Sequence, residues 1–174
     1  MNRRKIETIK TKYIILVVVA MALEACDPGF TYEPVGLESG RPSSQQTYEH
    51  QGISVTAWSF GGFSGHRGAI PEFRIGNETN ETVEIYGCTI RSSAGEKYSS
   101  RSGGEAEELY RLTPGEKMQV AFFFKFTEMT ETILGDHFLL EIYFRTESMT
   151  SSVKIEYLKL GAKTTLPPIP PADQ

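Results

Sequence analysis

Three stretches put a large apolar side chain at every second position, and that spacing constrains this chain more than any other feature. Met118, Val120, Phe122, Phe124 and Phe126 form the first, Phe138, Leu140, Ile142 and Phe144 the second, and Val153, Ile155 and Tyr157 the third. A period of two puts successive side chains on opposite faces of a β-strand. Each large apolar side chain contributes roughly 1.5–3 kcal/mol when fully buried, so these stretches are expected to form the centre of a core. Phe123 has the wrong parity for that core and is expected either under a loop or on a contact surface.

Shorter segments fit the same scheme. Ile53-Ser54-Val55-Thr56-Ala57 alternates and runs on through Trp58, Ser59 and Phe60, and Phe73-Arg74-Ile75 makes another strand. In residues 82–90, Val83 and Ile85 share one face while Cys88 and Ile90 have the opposite parity. A bulge at Gly87 would return all four to the core. Gly76-Asn77-Glu78-Thr79-Asn80 reads as a turn, as does Thr113-Pro114-Gly115-Glu116, with Pro and Gly at the central places of a type II turn. Lys97-Tyr98 reads as a short edge piece and residues 127–136 as a polar connection. About seven short strands with no helix-period segment after residue 25 imply an all-β, antiparallel β-sandwich at residues 52–160.

The N-terminus carries a different signal. Arg3, Arg4, Lys5, Lys10 and Lys12 precede a charge-free run from Tyr13 to Leu23. A basic segment, an apolar core of 7–15 residues and a small residue before a cut site make up an export signal. The run is short of the ~20 residues that cross the hydrocarbon core of a bilayer as a helix. Leu23-Glu24-Ala25-Cys26 then resembles the lipobox of bacterial lipoproteins, with Leu three residues before the Cys and a small residue just before it. Glu24 stands where the family usually has an uncharged residue. The resemblance implies cleavage between Ala25 and Cys26, and diacylglycerol on the Cys26 thiol. It also implies a membrane-anchored protein facing the periplasm or exterior. In enteric-type bacteria Asp27 would resemble an inner-membrane retention signal, and in other lineages acids after the Cys favour the outer membrane.

On this reading residues 1–25 are a signal helix that is removed. Residues 26–51, rich in Pro, Gly, Ser and Gln, read as a flexible tether, although Phe30, Tyr32 and Tyr48 stand out in it. Residues 161–174, with four prolines among 167–171, read as an extended tail. Residues 52–160 resemble the immunoglobulin-like domains of small bacterial lipoproteins, many of them of unknown function. Residues 1–25 hold five of the 18 basic and two of the 22 acidic side chains, so the remainder keeps 13 against 20, a net charge of −7. That balance argues against nucleic acid or an anionic membrane face as a partner.

No catalytic constellation is legible. His50, His66 and His137 are far apart, and none has the i+2 or i+4 partner of a metal site. Glu105, Glu107 and Glu108 lack the ladder of a calcium loop and read as a solvated face. There is no Gly-x-Ser-x-Gly elbow. No metal and no cofactor are expected. Cys88, in a strand, reads as a small buried hydrophobe, without a disulfide partner if Cys26 is acylated. The Gly61–Gly68 segment lacks the spacing of a phosphate cradle. Its Phe63, His66 and Arg67, with Trp58, Phe60 and Phe123, are the candidate contact residues, since loops on a rigid sheet often carry binding. The functional expectation is a non-catalytic binding or accessory module with an envelope protein as partner. A periplasmic immunity protein or enzyme inhibitor, and a structural spacer, are the alternatives.

Overall fold

The computed structural model describes residues 29–63, 65–100 and 110–161. The lipobox, the Glu105–Glu108 acids and the proline-rich tail lie outside the described residues. Among the described residues thirteen strands and one short helix follow in order: β1 (Phe30–Pro34), β2 (Gln45–His50), β3 (Ile53–Trp58), β4 (Phe60–Gly62), β5 (Gly68–Ala69), β6 (Glu72–Asn77), β7 (Val83–Ser92), β8 (Lys97–Ser99), β9 (Tyr110–Leu112), β10 (Lys117–Ala121), β11 (Phe124–Lys125), α1 (Thr130–Leu134), β12 (His137–Arg145) and β13 (Thr150–Lys159). The larger sheet runs β4-β1-β13-β12-β7-β8, with β9 also on β7; a second sheet runs β10-β6-β3-β2, and β5 pairs β11. All the pairings are antiparallel.

The inward positions of both large sheets meet in one core. Ile85, Cys88, Ile90, Leu140, Ile142, Val153 and Ile155 come from the larger sheet, and Val55, Phe73, Ile75 and Val120 from the second. The fold is therefore the all-β antiparallel sandwich that the alternation demands. The bulge is present: Tyr143 faces Gly87 but Phe144 faces Ile85, which leaves Tyr86 without a cross-strand partner. Val83, Ile85, Cys88 and Ile90 all end up buried. Asn77 is buried and ties its turn together. Its amide donates to the carbonyls of Glu81 (2.8 Å) and Leu112 (3.0 Å), while its Oδ1 accepts from the Thr79 amide (2.9 Å) and hydroxyl (2.7 Å). Gly115, at φ +78°, supplies the left-handed residue of the Thr113–Glu116 turn.

Three local expectations need correction. Residues 30–50 are not tether, because β1 and β2 lie inside this segment. Phe30, Tyr32 and Tyr48 are 4%, 0% and 2% exposed, and their burial outweighs the flexible composition around them. Tyr32 donates to the Gly135 carbonyl at 2.7 Å and Tyr48 to that of Val35 at 2.7 Å, so both hydroxyls are satisfied inside. Gly36, Gly40 and Pro42 sit in the reversal between the strands, closed by the Gly36 amide on the Arg41 carbonyl at 3.0 Å. Second, the Met118–Phe126 strand breaks at Phe122-Phe123: β10 pairs β6, while β11 turns to β5. The alternation survives the break, with Val120, Phe122, Phe124 and Phe126 buried and Phe123 40% exposed. Third, the connection at 127–136 contains α1, a single turn that buries Thr130 and Leu134.

Tyr32→Ala should therefore lower the unfolding free energy by about 3–5 kcal/mol in a urea titration. A change under about 0.5 kcal/mol, as expected for a residue in a solvated tether, would contradict this placement of β1.

Candidate functional site

The six contact candidates do not share one site. Phe60 turns inward and packs on the core, with ring centroids 5.7 Å from Tyr32, 5.9 Å from Phe138 and 5.3 Å from Tyr157. It is structural: Ile53, Val55 and Ala57 face inward at odd positions in the second sheet, and the chain crosses at Ser59 to the larger sheet, where the even-numbered Phe60 packs on the core. Trp58 is half-buried at the end of β3. Its indole donates to Gln45 Oε1 at 3.1 Å, and the Arg74 guanidinium lies 5.8 Å from its ring.

Phe63, His66, Arg67 and Phe123 are brought to one end of the sandwich. Phe63 is 82% exposed, directly after the β4 pairing with β1. His66 and Phe123 flank Gly68: a Cβ added there would lie 3.9 Å from His66 Nε2 and 3.9 Å from Phe123 Cε2. Thr130 fixes this segment from below. Its amide donates to the His66 carbonyl (2.7 Å), and its hydroxyl accepts from the Gly68 amide (2.9 Å). That hydroxyl has the carbonyls of His66 (2.8 Å) and Gly68 (2.9 Å) within donating reach. Nothing in the sequence around Thr130 signals this role, since its partners, His66 and Gly68, lie more than 60 residues away in the chain.

A second arrangement, missed in the sequence, covers the outward face of the larger sheet. The bulge turns Tyr86 outward, 39% exposed, with its ring 5.9 Å from that of Tyr143. The Arg145 guanidinium lies 5.7 Å from the Tyr86 ring and Lys97 Nζ 5.6 Å from the Tyr143 ring. Glu84 bridges Arg145 (2.5 Å) and Arg111 (2.8 Å). Tyr143 donates to Glu141 at 2.8 Å and so accepts from Lys97 (3.3 Å), while Ser152 donates to the other Glu141 oxygen at 2.7 Å. Two aromatic rings held in place by charged neighbours are the kind of rigid, amphipathic surface that protein interfaces favour. The outward parity of Glu141, Tyr143 and Arg145 in β12 is legible in the sequence; their meeting with Tyr86 depends on the bulge.

Cys88 is buried, and burial pushes its thiol well above the ordinary value, with Glu141 adding to the shift. Among the described residues no group of three or more His, Cys, Asp or Glu side chains is placed to hold a metal ion, and no helix is long and apolar enough to cross a membrane.

No family model matches the chain, and no curated protein matches it. Solved structures similar to it include the X-ray structure of a Northeast Structural Genomics Consortium target, at 12% identity and a TM-score of 0.32. That match covers 82% of this chain and 93% of the other. A crystal structure of a protein from Archaeoglobus fulgidus is similar at 9% identity and a TM-score of 0.31, over 70% of this chain and 98% of that one. At these values neither bears on what this chain does.

Burial alone would raise the Glu141 pKa, but hydrogen bonds from Ser152 and Tyr143, with Lys154 and Lys97 nearby, hold it below the ordinary carboxylate value. A depressed folded-state pKa adds stability that is complete above the unfolded value and is lost as pH falls through the folded one. Between about pH 6 and about pH 3, Glu141→Gln should therefore lose less stability in urea than the parent chain does. Equal losses in both proteins would contradict the network.

Proposed function

We propose that this chain is a lipid-anchored module of the bacterial cell envelope, held by a diacylglyceryl group on Cys26, that binds an envelope protein without catalysing a reaction. The observation that carries this reading is Leu23-Glu24-Ala25-Cys26 at the end of a charge-free run behind a basic segment. The position of β1 refines it. Only residues 27–29 separate Cys26 from Phe30, so the anchor has no long stalk. A chain extends at most ~3.3–3.6 Å per residue, which keeps Phe30 within about 14 Å of the lipidated residue.

Two features support a binding role over chemistry. Cys88, the thiol a nucleophilic step would need, is buried with its pKa raised, and the thiolate is the reactive form. The outward Tyr86–Tyr143 face offers a pre-ordered surface with few rotamers left to freeze on contact.

Cys26→Ser should leave the chain at its precursor size and uncleaved; an unchanged mature size would contradict lipidation. With the anchor intact, cross-linking in whole cells should lose its main partner in the Tyr86→Ala/Arg145→Ala double variant. It should keep that partner in Phe63→Ala/Arg67→Ala. A partner retained in the first pair would remove the sheet face as the binding surface.

A further inference from the structure

β1 begins at an end of the sandwich that carries two exposed apolar side chains, Phe63 and Leu160. β1 lies between β4 and β13, with Phe30 facing Gly62 and Thr31 facing Gly61. On the other side Tyr32 faces Lys159, and the Leu160 amide donates to the Thr31 carbonyl at 2.8 Å. Gly29, Phe63 and Leu160 therefore stand together where three neighbouring strands end. Gly29, at φ +29°, packs against the Gly62-Phe63 peptide so closely that an added Cβ would meet the Gly62 carbonyl and lie 3.7 Å from Phe63 Cα. Phe63 is 82% and Leu160 62% exposed. Leu37, 76% exposed, belongs to the reversal after the far end of β1.

Soluble surfaces carry single exposed apolar residues without consequence. What sets this pair apart is its place. Cys26 is three residues from Gly29, a reach of about 11 Å at most. Each interfacial layer of a bilayer is about 5–8 Å thick. A lipid on Cys26 thus puts Gly29, and Phe63 beside it, at or just above the headgroup level. Apolar and aromatic side chains at that depth are favourable. The net charge of −7 after residue 25 gives no electrostatic attraction to anionic lipid, so the contact is apolar.

We propose that Phe63 and Leu160 dip into the bilayer interface beside the Cys26 lipid and fix the orientation of the sandwich on the membrane. The inference rests on the lipid anchor proposed above. The Tyr86–Tyr143 face belongs to the strands on the other side of β13, and this orientation leaves it free for a protein partner.

The test uses the full-length lipidated protein, purified from membranes and reconstituted in phosphatidylcholine vesicles with or without brominated acyl chains. Phe63→Trp, Leu160→Trp and, as a control, Leu37→Trp are compared over the background of Trp58. Brominated lipid should remove most of the added emission of Phe63→Trp and of Leu160→Trp, and leave that of Leu37→Trp intact. Vesicles that carry the protein on flotation, with Phe63→Trp and Leu160→Trp quenched no more than Leu37→Trp, overturn the inference and spare the anchor. Protein that does not float with the vesicles overturns both. Shielding of Phe63→Trp from aqueous acrylamide without quenching by bromine would indicate a protein occupant and also overturn the inference.

Discussion

The structure depends on the insertion of β1 between β4 and β13. Five residues that follow a Pro-Gly pair in sequence pair on one side with Phe60–Gly62 and on the other with Tyr157–Lys159. Their inward side chains, Phe30 and Tyr32, complete an aromatic cluster. The Tyr32 ring lies 5.2 Å edge-on from Phe138, and Phe138 stacks on Tyr157 at 5.1 Å. Aromatic pairs at these separations add about 0.5–1.5 kcal/mol each beyond the area they bury. Without β1, the β13 edge would be open and Phe60 would lose the strand that carries it. The same pairing fixes the end of the sandwich at which Phe30 enters it, beside the ends of β4 and β13.

The larger sheet has two different faces. Its inner face is filled by aliphatic and aromatic side chains, so Cys88 is a packing residue there and not a reactive one. Its outer face is polar and aromatic, and its groups bind one another. Ser152 and Tyr143 satisfy Glu141, Arg145 and Arg111 satisfy Glu84, and the two tyrosine rings lie under Arg145 and Lys97. The bulge at Tyr86-Gly87 links the faces. It keeps Cys88 and Ile90 in the core and, by the same step, points Tyr86 outward to join Tyr143.

The sequence disclosed the parts of this fold that depend on local alternation. β12, β13 and the buried positions of β10 and β11 follow from a period of two, and the bulge follows from the parity conflict between Ile85 and Cys88. The N-terminal strands were hidden because their evidence is not local. Phe30 and Tyr32 are only two apolar residues among Pro and Gly, and they form a strand because β4 and β13 are there to receive them. The break after β10 was hidden for a related reason: alternation fixes which side chains are inward but not which strand lies alongside. Among the contact candidates, Phe63, His66, Arg67 and Phe123 were legible as loop or off-parity residues. The inward place of Phe60 is not legible locally, because its core partners lie 28, 78 and 97 residues away in the chain. The role of Thr130 is tertiary and leaves no mark in its own neighbourhood.

Amide hydrogen exchange over residues 30–34 tests the placement of β1 most directly. A strand bonded on both sides predicts protection of Tyr32 and Glu33 of the same order as that of Lys159 and Leu158, the β13 residues they face. Exchange of these amides at the rate of an unstructured chain, with β12 and β13 still protected, would contradict it and return this segment to the role of a leash.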